Sequence, residues 1–377
     1  MASSSVRRCG SATADHSASV TAPVCHYGHM PHKKYRQNSM LNGGPTAGTV
    51  AGVHVRLITP DGVSRRGPDE IEALLGGPGL VWIDVQYWDA ETADFLGKRL
   101  HLHARPMHDC TVRNPVPKLH TYPDQTFIVL HAPEPGEHGH VHYVELDQFV
   151  GPNWLLTVHG PMNPAVPLDA AYVETSTVAR RLDGGRLHPT RGCELSTALV
   201  NVLVGRLRDF LTTLTRDVWR LEQQVTGGHL GEAEQFLEEL FGVRHGLLAV
   251  HTIAATNGEI YGRMGRTAVF GAVGAAQLKD LEDQFDRVAA MADGQREYLQ
   301  GVIDFYETRS DTKRNIAGER LAVIAALTLP VEALAQVAGM NVIVNEHTLV
   351  GPLIGILAVM LLISAILLLW TRRKGWW

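Results

Sequence analysis

Residues 338–351 read AGMNVIVNEHTLVG, a short and mildly polar interruption between two strongly apolar runs. Downstream, Leu349–Trp370 (LVGPLIGILAVMLLISAILLLW) holds 22 residues without one charge. At a rise of ~1.5 Å per residue, a helix of that length spans about 33 Å, enough to cross the hydrocarbon layer of a bilayer. Upstream, the 18 residues Leu321–Ala338 (LAVIAALTLPVEALAQVA) are apolar apart from Thr328, Glu332 and Gln336. A buried soluble helix is the alternative for this upstream run, but soluble cores seldom need an uncharged run as long as the downstream one. The pattern predicts a two-helix C-terminal transmembrane hairpin closed by a short external loop.

Flanking charge orients the hairpin. Lys313, Arg314 and Arg320 precede the first span and Arg372, Arg373 and Lys374 follow the second, while the loop between them has no Lys or Arg. The positive-inside bias places both termini in the cytoplasm. Residues 1–50 lack an apolar core of the signal-peptide kind, so no cleaved leader is expected. The expected location is therefore the cell (inner) membrane, as a multi-pass protein.

The 377 residues are enough for more than one domain. A formal net charge of only −5 does not suggest a nucleic-acid partner. The four cysteines (Cys9, Cys25, Cys110, Cys193) form no CxxC pair, which favours a reducing compartment. Residues 1–48 are rich in Ser, Ala, Gly and His and are read as a disordered extension. Within them, Cys25, His26, His29 and His32 have spacings a metal could use, but no fold fixes them.

From 49 to 190 the signals alternate. HVRLIT, LVWIDVQ, TFIVLHA, HVHYVELDQFVG and WLLTVH read as strands, with DEIEALL and DAETADFLGKRL as helices between them. This is a cytoplasmic α/β domain. From 191 to 320 the pattern is helical, and one continuous helix is predicted from about Gln277 to Met340, ~95 Å long. Its apolar positions recur at steps of three and four over that length, which predicts bundling around an axis. The remaining segments are a first pore helix at 321–341, an external loop at 342–348, a second transmembrane helix at 349–371 and a basic tail at 372–377.

On the first membrane helix Asn315, Gly318, Ala322, Ala325, Leu329, Glu332 and Gln336 share one small or polar face. A carboxylate at mid-membrane costs about 3 kcal/mol against lipid, so Glu332 belongs on a water-filled pathway or against a neighbouring helix. The second helix offers only Ser364 and no base, which favours the pathway. Two helices cannot enclose a pore, so several copies must. A ring of Asn341 amides with carbonyls near Gly339 would then present hard oxygen ligands suited to hydrated Mg²⁺, with Glu346 adding negative potential at the mouth.

Gly339-Met340-Asn341 at the end of the penultimate apolar helix, a short acidic loop, a last helix and the tail RRKGWW resemble the CorA-type magnesium/cobalt transporters. VWIDVQ, LHLHARPMHDCTVRNPVPKLHTYPDQTFIVL and ELDQFVGPNWLLTVH resemble the soluble part of that family, so the resemblance runs from about residue 50 to the end. It implies a funnel-shaped homopentamer: an α/β cytoplasmic domain, long stalk helices and the two-helix hairpin. It implies that Gly339, Met340 and Asn341 form the selectivity filter and that Asn315, Gly318, Leu321, Ala322, Ala325, Leu329, Glu332 and Gln336 line the pore. Arg372, Arg373 and Lys374 match a basic ring at the cytoplasmic exit. The family closes when intracellular Mg²⁺ bridges acidic residues of adjacent subunits, and Asp109, Asp280, Asp283 and Asp304 fall at the expected stretches.

Three positions depart from the family pattern: Ala338 replaces an aromatic residue, Glu332 a small polar one, and Gly318 leaves Leu321 as the main apolar obstruction. Five close glutamates would repel one another, which suits direct binding of a divalent ion or coupling to protons. Transport of Zn²⁺, Co²⁺ or Ni²⁺, as in the related ZntB-like branch, is the second expectation. His138, His140 and His142 on one face of an edge strand hint toward it, although such histidines also suit a polar surface. No GxxxxGK[ST] nucleotide motor and no HExxH or GxSxG catalytic motif occurs, so neither nucleotide use nor enzymatic activity is expected.

Overall fold

A computed structural model describes residues 52–228, 233–265, 271–342 and 350–373. The expected N-terminal extension, most of the external loop with Glu346, and Lys374 lie outside the described residues.

Seven strands form one sheet: β1 (Val53–Thr59), β2 (Gly62–Arg66), β3 (Leu80–Val85), β4 (Lys118–Thr121), β5 (Thr126–Pro135), β6 (Val141–Val150) and β7 (Trp154–Val158). Their spatial order is β2-β1-β3-β7-β6-β5-β4. Neighbours are antiparallel except β3 and β7, which run parallel. All six residues of β3 are buried, because helices cover both faces of the sheet. The period-two alternation sends Leu80 and Trp82 into one core and Val81, Ile83 and Val85 into the other.

The second core is closed by the short helices α1 (Ile71–Leu75) and α2 (Ala90–Arg99), through Ile71 and Leu96, and α3 (Ala104–Asp109) follows α2. Asp89 caps α2 by accepting a hydrogen bond from the Thr92 N–H at 2.8 Å. The Pro68-Asp69 start leads into a 3₁₀ turn, Pro68–Glu70, before α1. Two strands escaped the sequence pattern. β2 (GVSRR) and β4 (KLHT) lie at the two edges of the sheet, hold no fully buried residue, and so carry no apolar alternation.

The first core is larger. It draws on α5 (Val173–Asp183), which follows the single turn α4 (Leu168–Ala171), and on three long helices: α6 (Gly192–Gly227), α7 (Ala233–Gly265) and α8 (Gly271–Val342). α8 runs for 72 residues without a break, about 108 Å at helical rise. Its Leu278, Leu281, Phe285, Val288, Leu299 and Val302 are buried against α6 and α7, with Phe285 stacked on Tyr261 at 5.7 Å. From Asp311 to Ala322 every residue of α8 is exposed. Beyond that, α8 packs on α9 (Val350–Arg373).

Besides its apolar contacts, α7 is bonded to the sheet backbone through one side chain. β4 ends at Lys118, opposite Val129, so the free edge of β5 at His131 needs another partner. Asn257, fully buried on α7, supplies it: its Nδ2 donates to the His131 carbonyl at 2.8 Å, and its Oδ1 accepts from the His131 N–H at 3.3 Å. Both buried backbone groups are thereby satisfied. Asn257→Ala orphans them and is expected to cost about 2–3 kcal/mol. Thermal melts of the full chain should show a clearly lowered Tm; a Tm equal to wild type would remove Asn257 from this role.

Candidate functional site

The outer part of α8 has two faces of opposite character. Val323 is buried, and Leu327 and Val331, each one turn further on, are half-buried. At ~100° per residue these three fall within one narrow stripe. Leu321, Ala322, Ala325, Leu329, Glu332 and Gln336, together with Asn315 and Gly318 further down, are all exposed and centre on a direction about 180° from that stripe. In one copy these positions are uncovered, as are their neighbours Ile324, Ala326 and Thr328, so the stripe is what the rest of the chain covers here. On the sequence-derived face, Gln336 Nε2 donates to Glu332 Oε1 at 3.4 Å, so the two polar side chains of successive turns are linked.

Gly339, Met340 and Asn341 form part of the last turn of α8, which ends at Val342. Arg372 and Arg373 are exposed at the end of α9. Along α9 the exposed residues include Ile354, Leu357, Val359, Leu361, Leu362, Ile366, Leu369 and Trp370. Judged on the fully described residues alone, no helix is long and apolar enough to cross a membrane.

The four aspartates expected to bind a regulatory cation have different surroundings. Asp109, at the end of α3, is buried, and both its oxygens are taken: Lys118 Nζ lies 2.6 Å from Oδ1 and His120 Nε2 lies 3.0 Å from Oδ2. Burial pushes its pKa up, but the hydrogen bonds from Lys118 and His120 outweigh this and hold it below the ordinary carboxylate value. On α8, Asp280 accepts from Gln284 Nε2 at 2.7 Å, Asp283 pairs with Lys279 at 2.9 Å, and Asp304 accepts from Gln300 Nε2 at 2.9 Å. These three are solvated helix-surface carboxylates with i,i+4 partners. Among the described residues no three His, Cys, Asp or Glu side chains of one copy converge as a metal cage.

Behind Asp109 lies a buried polar cluster that the sequence pattern did not reveal. Glu145 on β6 accepts from the Asn114 N–H at 2.9 Å and from Asn114 Nδ2 at 2.5 Å. Two residues on, Asp147 is fully buried, and no conventional hydrogen bond reaches its oxygens. Burial, and then the charge of Glu145, hold Asp147 well above the ordinary carboxylate range. Glu145 is also raised, by burial, against the opposing pull of Asn114. The Cys110 thiol beside them is pushed up by burial and by Asp147. His131 is pushed down to about 4, chiefly by burial, so it is neutral at pH 7 and its Nε2–H donates to the Asn114 carbonyl at 2.9 Å. β6 is an inner strand covered on both faces, which is why ELDQ can be buried there without an apolar pattern.

The family pattern described as CorA-like Mg²⁺ transporter protein matches residues 77–373, from the sheet to the end of α9. The chain belongs to this family. Its members are transporters and not enzymes. No curated protein matches the chain significantly in sequence. Among solved structures, the complete CorA magnesium transporter of Methanocaldococcus jannaschii is similar at TM-score 0.70 and 17% identity, covering 87% of this chain and 99% of that one. The full-length CmaX protein is similar at TM-score 0.68 and 16% identity, covering 88% and 100%. The cytoplasmic domain of ZntB from Vibrio parahaemolyticus RIMD 2210633 is similar at TM-score 0.53 and 9% identity, covering 69% and 98%. At these identities the likeness is one of fold, over nearly the whole order of sheet, long helices and terminal helix pair for the first two and over 69% of this chain for the third.

In this CorA-family chain, the Asp147 carboxyl has a sign that can be tested. Folding raises its pKa above the unfolded 3.8, so its contribution to stability is full below about pH 4 and is lost as pH rises through the raised value. Asp109 acts oppositely: its contribution is present above 3.8 and is lost as pH falls through its lowered value. Asp147→Asn is expected to flatten the decline in Tm as pH rises above about 4 and to melt above wild type at the alkaline end. A variant that keeps the wild-type slope would show that Asp147 is not its source.

Proposed function

We propose that copies of this chain assemble as a homopentamer around the uncovered face of α8 and carry hydrated Mg²⁺ across a lipid bilayer, the cell membrane. The observation that carries this reading is the opposition of faces on α8. The apolar stripe of Val323, Leu327 and Val331 is covered, whereas Ala322, Ala325, Glu332 and Gln336 point away from the rest of the chain. An exposed carboxylate and amide inside a membrane segment are tolerable where copies of the same face enclose water. Membership of a family of magnesium transporters supports the same choice of ion.

The two spans are 321–341 and 349–371. The hydropathy of fully described residues falls short of a membrane span, but the sequence weighs more. From Val350 to Thr371 there is no charged residue, and α9 displays a continuous coat of large apolar side chains that water would not tolerate. Both termini then lie in the cytoplasm, with Arg372, Arg373 and Lys374 as a basic ring at the inner mouth. Gly339, Met340 and Asn341 close the outer end, where amide and carbonyl oxygens can hold a hydrated cation by outer-sphere hydrogen bonds, and Glu346 concentrates cations at the entrance. At the narrow cytoplasmic gate Leu321 is the main apolar obstruction, since Gly318 one turn below offers no side chain. Intracellular Mg²⁺ gates the pore through Asp280, Asp283 and Asp304 of neighbouring copies, whose carboxylates are solvated. Asp109 is the weakest of the four, because a metal would first have to displace Lys118 and His120.

Glu332 supports a second reading. A ring of five carboxylates can bind Zn²⁺, Co²⁺ or Ni²⁺ directly or pass protons, and the ZntB cytoplasmic domain shares the fold. Flux into proteoliposomes under an inside-negative potential separates the two. Wild type is expected to carry Mg²⁺, and Asn341→Ala to lose it by at least tenfold, with Co²⁺ hexammine blocking wild type. Zn²⁺ flux without Mg²⁺ flux, or a proton-gradient requirement that Glu332→Gln abolishes, would establish the second reading.

A further inference from the structure

α6 is bonded at both ends. Near its start, Ser196 Oγ donates to Gln148 Oε1 of β6 at 2.6 Å, and both residues are buried. Further along, Arg206 reaches Glu134 of β5 at 2.7 Å and Glu174 of α5 at 3.2 Å. The other end of α6 is Gly227, followed by Gly228 at φ +78°, the left-handed conformation with which glycine closes a helix. The last carbonyls of a helix have no partner within it and carry the negative end of its dipole. Arg309 of α8 supplies a partner for two of them. Its Nη1 donates to the Val225 carbonyl and, at 2.9 Å, to the Thr226 carbonyl. A Cβ on Gly228 would lie 2.8 Å from Arg309 Nη2, so the guanidinium occupies space that only glycine leaves open.

Arg309 stands where α8 leaves the other helices. Val302, Tyr306 and Arg309 follow one another at steps of four and three, so they share one face. Val302 is buried, and the half-buried Tyr306 ring lies 5.1 Å from that of Phe236 on α7. From Asp311 to Ala322 every residue is exposed. Apolar contacts such as Phe236–Tyr306 have little directionality, whereas a charged donor held by two particular carbonyls fixes both height and angle.

The structure assigns to Arg309 the role of a positioning residue for transport: it is the tie through which the sheet, by way of α6, sets the angle of the outer part of α8. This rests on the reading of that outer part as the pore helix. The connections are polar at each joint, from Gln148 and Glu134 to α6 and from the end of α6 to Arg309. Between the joints α6 is an unbroken helix of 36 residues, about 54 Å long, and such rigid elements carry a displacement from one end to the other. Order along α8 points the same way. Asp280, Asp283 and Asp304, the carboxylates proposed to sense Mg²⁺, precede Arg309, and the face from Asn315 to Gln336 follows it. The tie therefore lies between sensor and path.

Mg²⁺ flux into proteoliposomes of the full chain, measured against rising Mg²⁺ on the side of the soluble body, tests the role. Arg309→Met keeps the length of the side chain and removes its donors. It is expected to raise the Mg²⁺ concentration that halves flux by about threefold or more. Arg309→Lys can still donate to both carbonyls and should stay close to wild type. Gly228→Ala keeps Arg309 but displaces its guanidinium, and should behave as Arg309→Met. A cap that only stabilises α6 would lower Tm and leave the halving concentration unmoved, so that result in Arg309→Met overturns the role. Wild type without flux, or with flux that Mg²⁺ does not restrain, overturns the gated-pore reading itself and this inference with it.

Discussion

The height at which α7 sits on the sheet is set by how it meets β5, and the Asn257 amide makes that junction directional. A helix docked on a sheet by apolar side chains alone can slide, because apolar burial has little directionality. An amide that donates to and accepts from one residue of a strand fixes both height and rotation. α8 packs along α7, so its direction inherits that register, and α9 inherits its place from α8. Nearby, the Gly139–Gly242 contact ties the β5–β6 hairpin to the same helix.

α8 passes from a packed core to a largely exposed rod as one continuous helix. Its first part is an ordinary core helix with Leu281 and Phe285 fully buried. Its last part covers one stripe and leaves Leu321, Ile324 and Leu329 exposed together with the small and polar residues around them. The helical period makes this division possible, since residues three and four apart share a face whatever that face adjoins. Pro330 falls inside this part, where its missing N–H removes one i→i−4 bond without ending the helix.

Much of this was legible in the sequence. The inner strands announce themselves by unbroken apolar runs such as Leu80–Val85, and α8 by an apolar repeat without proline over its first 59 residues, Gly271–Leu329. The polar face around Glu332 could be drawn on a wheel before any coordinates. The edge strands β2 and β4 could not be found this way, because an edge gains its hydrogen bonds from a neighbour and needs no buried face. Asp109 reads as an ordinary surface charge until Lys118 and His120 fold back onto it. Asp147 and Glu145 look like the outward half of an alternating strand, and only the covering of both sheet faces buries them.

The exposed run of α8 gives the molecule mechanical advantage. From Val302, the last of its deep anchors in the first core, to Val342 the helix projects some 40 residues, about 60 Å of rod. A tilt of about 5° at the anchored end displaces the far end by about 5 Å, close to one helical turn. A slight repacking around Phe285 or Tyr261 is thereby geared up into a shift of several ångströms at the far end, with no bond in the rod itself being broken.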